Sequence, residues 1–183
     1  LYIAIVGHRS DGHRYINDVD SINASAALVN KKNADEELSL QQILVNDTKK
    51  ALGEIARKWR DHFDIPIIAI TGSNGKTSTK DLLHHLLQDK FNVHSTKGNY
   101  NTSIGVPLSL LELKKSHSIS IIEMGANQPG DIKDLCEVAN PTHGLITNIS
   151  SAHLEGFHSI KNIIKTKGAL FKYLKNGLCF VNC

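Results

Sequence analysis

Apolar residues along the chain come in two rhythms. LYIAIVG (1–7), AALVN (26–30), QQILVND (41–47), IPIIAI (65–70), FNVHST (91–96), SISIIEMG (118–125), HGLITNIS (143–150) and LCFVN (178–182) are short runs rich in β-branched and aliphatic residues. Their length suits buried strands. Between them the spacing turns helical. In TKKALGEIARKWRDHF (48–63), Ala51, Leu52, Ile55, Ala56 and Trp59 share one helical face, with Asp47 or Thr48 as N-cap. Further helices are predicted at about 13–22, at 76–89 with Leu82, Leu83, Leu86 and Leu87 on one side, at 106–114 opened by Pro107, at 131–139, and at 159–174 capped by Ser159. KKNADEELS (31–39) reads as a polar loop. Strands alternating with helices predict an α/β fold, a mostly parallel sheet with helices on both faces. The alternation restarts near residue 64. Two domains are therefore expected, a small α/β one over 1–63 and a larger one over 64–183.

Composition narrows the function classes. The 183 residues are 40% apolar with a formal net charge of +3, enough for a real core. No apolar stretch approaches the roughly 18–20 residues of a membrane span. The opening carries no signal-peptide pattern. It lacks Met, and GLCFVNC reads as a strand caught mid-course, so a chain cut at both ends is expected. Cys136, Cys179 and Cys183 form no CxxC pair, which fits a reducing cytoplasm better than a disulfide framework. Scattered lysines and few aromatics argue against a nucleic-acid surface.

ITGSNGKTST (70–79) follows an apolar strand and precedes a helical pattern, as a phosphate loop requires. It departs from G-x-x-x-x-G-K-[ST], which needs glycine where this chain has Ile70. Gly72 and Gly75 can take positive φ and turn backbone N–H groups inward. The helix after Gly75 adds its dipole. Lys76 would reach the β/γ-phosphates and the Thr77 hydroxyl would ligate Mg²⁺. The competing reading is a tight strand-to-helix turn with an exposed lysine.

Other residues are set toward the same edge. Glu123 lies near the carboxyl end of the apolar strand IIEMG, where a carboxylate is costly unless paired or metal-bound, and open α/β sheets bind ligands at that end. His153 follows a predicted strand end by a few residues. Asn99 and Asn101 flank Tyr100 in an amide-rich loop, either a polar-ligand site or an Asx-rich turn. Asp11, Gly12 and His13 form a DGH turn that is a ligand site or purely structural.

TGSNGKT is the loop form of the Mur ligase and folylpolyglutamate synthase superfamily, in which glycine is not expected at position 70. GNYNTSIGVPLSLL (98–111) resembles GNxNNxIGVPLTLL, with Thr102 and Ser103 where Asn and an acidic residue are usual. EMGAN (123–127) and AHLEGF (152–157) resemble EMGAN and AHLExFGS, with His158 in place of the usual Gly. LYIAIVGHRSDGHRYI (1–16) resembles FxALxGxxxDGHxFI. The chain thus resembles the Mur ligase family, and within it the ligases that join D-Ala-D-Ala to UDP-N-acetylmuramoyl-tripeptide.

The resemblance implies a UDP-substrate-binding domain followed by part of a P-loop-type ATP-binding domain, in a monomeric bacterial cytoplasmic enzyme of peptidoglycan precursor synthesis. ATP would lie on Gly72, Ser73, Asn74, Gly75, Lys76, Thr77 and Ser78. One Mg²⁺ would be held by Thr77 and Glu123, a second by His153 and a carbamylated Lys167, with Lys165 as the competing lysine. Lys76, Lys167 and His153 would be catalytic, and Asp11, Gly12, His13, Asn99 and Asn101 would contact substrate. In the family a C-terminal domain closes over this site, so these 183 residues alone are expected not to form the amide bond. The alternatives are another ligase of the superfamily (a different Mur ligase, a folylpolyglutamate synthase or a cyanophycin synthetase type) and a nucleotide-binding module without ligase chemistry.

Overall fold

The computed structural model describes residues 1–7, 9–34, 37–150, 154–157, 159–174 and 177–181. The chain divides into two units at Glu54 and Ile55. The division falls inside a helix, earlier than the boundary expected near residue 64.

In the smaller unit, β1 (Tyr2–Ile3), β2 (Ala27–Asn30) and β3 (Gln42–Val45) form a parallel sheet in the order β1-β2-β3. A 3₁₀ turn (Gly12–Tyr15) leads into α1 (Ile16–Ser21). The first apolar run yields only two strand residues. The chain turns back at Gly7, whose N–H donates to Ser10 O (2.8 Å), and Val6 bridges antiparallel to Asp11. Ala4, Ile16, Val19, Ala27, Val29 and Leu40 make the core. A 3₁₀ turn (Lys31–Asn33) occupies part of the expected loop. The helix α2 (Thr48–Arg60) starts in this unit, capped by Asp47, whose Oδ1 accepts from the N–H groups of Lys49 (2.9 Å) and Lys50 (3.0 Å).

The larger unit contains β4 (Ile67–Thr71), α3 (Lys76–Leu87), β5 (Val93–Ser95), α4 (Gly105–Leu111), β6 (Ile119–Glu123), α5 (Asp131–Ala139), β7 (His143–Ile146), α6 (Leu154–Phe157), α7 (Ile160–Lys167), α8 (Ala169–Tyr173) and β8 (Leu178–Val181). Its sheet is parallel throughout, in the order β5-β6-β4-β7-β8. Strand parity assigns the two faces. Ile67 and Ala69 of β4 and Ile122 of β6 join Ala56, Leu110, Ile132, Ile163 and Leu170 in one core that spans α2, α4, α5, α7 and α8. Ile70 and Ile121 have the opposite parity and are fully buried toward the other face, where α3 packs on β4, β5 and β6. Glu123 shares the parity of Ile121, so the sequence of β6 itself directs this carboxylate toward α3.

Three local features depart from the simple pattern. Leu82 and Leu86 of α3 stand 59% and 63% exposed, and the buried residue of this helix is Lys80. The helix is rotated so that its Thr77–Lys80 face meets the sheet, because both side chains hydrogen-bond there. The single helix expected over 159–174 is two, broken at Gly168, whose N–H reaches back to Ile164 O at 2.8 Å. Finally, Arg60 is buried and caps the end of α5: Nε donates to Ala139 O (3.0 Å), Nη2 to Asn140 O (3.1 Å) and Nη1 to Phe63 O (2.7 Å). Asn140 takes the left-handed conformation that ends this helix. Among the described residues no helix is long and apolar enough to cross a membrane.

Candidate nucleotide and metal site

The site lies where the chain order of the larger sheet reverses. β4 is central, and its neighbours β6 and β7 lead into loops on either side of its own. This is the crevice at the carboxyl ends of the strands where open α/β sheets take ligands. β4 delivers Thr71 and the chain turns through Gly72 (φ +153°) and Gly75 (φ +77°), which caps α3. The conformation at Gly75 alone favours glycine. At Gly72 space decides as well, because a Cβ would overlap the Thr147 hydroxyl.

The segment after β7 braces the loop. Ser73 N–H donates to Asn148 O (3.0 Å) and Asn74 N–H to Asn148 Oδ1 (3.0 Å). Ser150 N–H donates to Ser73 Oγ (2.9 Å), and the Thr147 hydroxyl donates to Asn74 O (2.6 Å). Sequence reasoning did not select Thr147, Asn148 or Ser150. The available signal was a change from apolar to Thr-Asn-x-Ser at the end of a central strand.

Two ammonium groups converge on one backbone oxygen. Lys76 Nζ donates to Gly72 O (3.0 Å) and Ser73 O (3.3 Å), and Lys167 Nζ donates to the same Gly72 O (2.9 Å). Lys167 is buried, 3% exposed, at the last turn of α7. Burial, and then the charge of Lys76, pull its ammonium down to about 8. Neither lysine has a carboxylate partner among the described residues. Two partly desolvated cations with only carbonyls for company form a ready anion site at a helix N-terminus. Lys165, by contrast, is exposed.

Beside them Glu123, 1% exposed, accepts from the Thr77 hydroxyl (Oε2, 2.9 Å) and from Asn101 Nδ2 (Oε1, 2.7 Å). Both partners are neutral, and no described lysine or arginine pairs with this carboxylate. A buried carboxylate next to a hydroxyl, without a counter-cation, suits Mg²⁺. That ion takes one or two protein oxygens and completes its shell with phosphate and water. Asn101 is further fixed by its carbonyl, which accepts from Gly125 N–H (2.8 Å). Asn99 and Ser78 are exposed, and no side-chain bond ties them to this cluster. His153 lies outside the described residues.

In the smaller unit Asp11 caps the 3₁₀ turn. Its Oδ1 accepts from His13 N (3.0 Å) and faces His13 Nδ1 (2.6 Å). Asn30 N–H donates to His13 Nε2 (3.0 Å), so the ring proton sits on Nδ1, toward Asp11. Hydrogen bonds from the His13 backbone and ring hold the Asp11 carboxyl below the usual range. The Tyr2 hydroxyl donates to Gly12 O (2.7 Å). Both nitrogens of His13 are thus engaged internally, while Asp11, His13, Arg14, Asn17 and Asn33 line a cavity of about 310 Å³.

The chain is similar to known proteins along its length. The chain is 38% identical over its full length to the UDP-N-acetylmuramoyl-tripeptide–D-alanyl-D-alanine ligase of Haemophilus influenzae, 40% of which it covers. Among solved structures it superposes on MurF from Acinetobacter baumannii with a TM-score of 0.92 at 33% identity, covering 98% of this chain and 39% of that one. The MurF ligase of Thermotoga maritima, solved with ADP, gives a TM-score of 0.90 at 36% identity, covering 98% and 42%. The chain therefore spans about two fifths of the length of the relatives it matches. Residues 70–183, which carry the loop, Glu123 and Lys167, match the Mur ligase middle domain. On that match, joined to an α/β fold shared with MurF structures, this chain belongs to the Mur ligase family.

Proposed function

We propose that the protein carrying this chain joins D-Ala-D-Ala to UDP-N-acetylmuramoyl-tripeptide, with ATP going to ADP and phosphate, as a monomer in the bacterial cytoplasm. The observation that supports it most is the convergence of Lys76 and Lys167 on Gly72 O beside the Thr77–Glu123–Asn101 cluster. That arrangement offers Lys76 as a cationic ligand for phosphates, a buried Lys167 amine beside it, and a separate anionic ligand for a metal, in one crevice.

The chemistry follows from what such a crevice can stabilise. A carboxylate is a poor electrophile. Its attack on the γ-phosphate of ATP gives an acyl phosphate and ADP. The dipeptide amine then adds to the acyl carbon, and phosphate leaves as the amide forms. Lys76 and the loop N–H groups bind and align the phosphates. Thr77 and Glu123 would hold a Mg²⁺ ion, which when bound neutralises phosphate charge. Asn101 orients the Glu123 carboxylate.

Lys167 is the residue proposed to be carbamylated. Only a neutral amine adds to CO₂, and an ammonium pulled down to about 8 supplies that form near neutral pH. The carbamate would turn a cation into an oxygen ligand for a second Mg²⁺, shared with His153. The smaller unit would hold the UDP end of the substrate through the cavity beside Asp11, and the larger unit would hold ATP.

The test uses the full-length protein. Phosphate release should require both UDP-N-acetylmuramoyl-tripeptide and D-Ala-D-Ala. Release with another acceptor and not with these would move the assignment to a different ligase. Nucleotide binding without any acceptor-dependent turnover would leave a binding module.

A further inference from the structure

Lys80 is a buried lysine that the proposed chemistry does not use. It is 4% exposed, and its Nζ donates to Thr96 O at 2.9 Å. Its salt bridge to Asp81 (2.6 Å) runs to a side chain that is 65% exposed, at the rim. An ammonium withdrawn from water is costly unless its partners are well placed, so the position of this one carries information.

Thr96 links three parts of the site. It directly follows β5, its N–H donates to Ile121 O (3.0 Å), and its Oγ1 accepts from Glu123 N–H (3.0 Å). Its carbonyl is the last backbone group before the Lys97–Asn101 loop, which brings Asn101 onto Glu123. Thr77, the other group on that carboxylate, lies one turn before Lys80 on α3. The helix therefore holds Glu123 at both ends: at the carboxylate through Thr77, and at the backbone through Lys80 and Thr96.

We propose that Lys80 is a positioning residue for the Mg²⁺–phosphate site. By tying α3 to the end of β5, it fixes both the seat of the Glu123 carboxylate against Thr77 and the point where the Asn101 loop leaves the sheet. This inference rests on the nucleotide reading above. A merely structural lysine would alter stability and leave the metal requirement unchanged.

The experiment compares the full-length protein carrying this chain with its Lys80→Met variant, which keeps the apolar stem, and its Lys80→Arg variant, which keeps a charged donor. A fluorescent ATP analogue is titrated in EDTA and across a Mg²⁺ series. Outer partners of metal ligands typically change metal affinity by about 10–100-fold. Lys80→Met should raise the half-saturating Mg²⁺ concentration by about tenfold or more. Its Mg²⁺-free affinity should stay within about twofold, since Lys76 and the loop amides are untouched, and Lys80→Arg should recover most of the loss. An unchanged Mg²⁺ requirement in Lys80→Met, or equal losses with and without Mg²⁺, overturns the proposal.

Should Lys80→Met fail to fold by circular dichroism, Thr96→Val carries the test. It cuts the same relay at Oγ1, and a wild-type Mg²⁺ requirement in it is equally fatal. Full-length wild-type protein that binds the analogue without Mg²⁺ dependence, or not at all, removes the nucleotide reading and this inference with it. That result is distinct from a variant matching a Mg²⁺-dependent wild type.

Discussion

Replacing Glu123 by Gln should stabilise the free fold and remove its response to Mg²⁺. The carboxylate is 1% exposed and held by two neutral groups, Thr77 Oγ1 and Asn101 Nδ2. A glutamine of the same shape keeps both contacts. Its Oε1 accepts from Asn101, and its Nε2 donates to the Thr77 hydroxyl oxygen. Two charge-assisted bonds become neutral ones, a loss of about 1–2 kcal/mol in total. Against this stands the desolvation of an ion, several kcal/mol even after relaxation. The balance favours Glu123→Gln by about 1–2 kcal/mol. For a chain of this size, that raises the melting point of the larger unit by roughly 2–8 °C. A fluorescent ATP analogue, titrated with and without Mg²⁺, reads the other half. The wild type should bind more tightly with Mg²⁺, and the variant equally with either. A variant that melts lower, or one that keeps the Mg²⁺ enhancement, would refute the assignment of Glu123 as a buried carboxylate awaiting a cation.

Other variants probe other parts of the molecule. Arg60→Ala strands three buried or half-buried carbonyls and should cost about 3 kcal/mol or more in denaturant unfolding, with Arg60→Lys recovering only part because one ammonium cannot span all three. Gly72→Ala drives a Cβ into the Thr147 hydroxyl and should weaken ATP-analogue binding, while adding Thr147→Gly should restore part of it. Lys167 titrates at about 8 in the fold against 10.5 unfolded, so above pH 8 the unfolded chain holds the extra proton and wild-type stability should rise by up to about 1.4 kcal/mol from pH 8 to 9 in CO₂-free buffer, a rise that Lys167→Met should lack. The Cys136 thiol, pushed up to about 12 by burial, acts in the opposite sense above pH 9, which sets the upper limit of that window.

The α/β alternation was legible because strand and helix periods differ in kind, and the inner strands β4 and β6 are buried along almost their whole length. The cap at Asp47 was legible because it is local. So was the face of β6 that carries Glu123, since parity alone determines it. What escaped was tertiary. The strand at 1–7 was cut short by the turn at Gly7, which pairs Val6 with Asp11 instead. Leu82 and Leu86 of α3 look outward because Thr77 and Lys80 bind the sheet, a preference that no hydrophobic pattern encodes. The brace at Thr147–Ser150 lies more than seventy residues from the loop it supports, and only the β4–β7 pairing brings them together. Asn99 and Asn101 looked equivalent in sequence. The backbone turns one out to solvent and the other onto Glu123.

The carbonyl of Gly72 has one more consequence. Because Lys76 and Lys167 both donate to it, it serves as an internal decoy for the ammonium that a phosphate would engage and for the amine that CO₂ would. On the function proposed above, a nucleotide arriving at the loop would displace a ligand that the loop supplies to itself. Each decoy contact would subtract from the affinity for nucleotide, in the way that a sparsely populated competent state does. The loop would then hold its lysines in place in the absence of nucleotide, and release one without having bound it as tightly as its charges would allow.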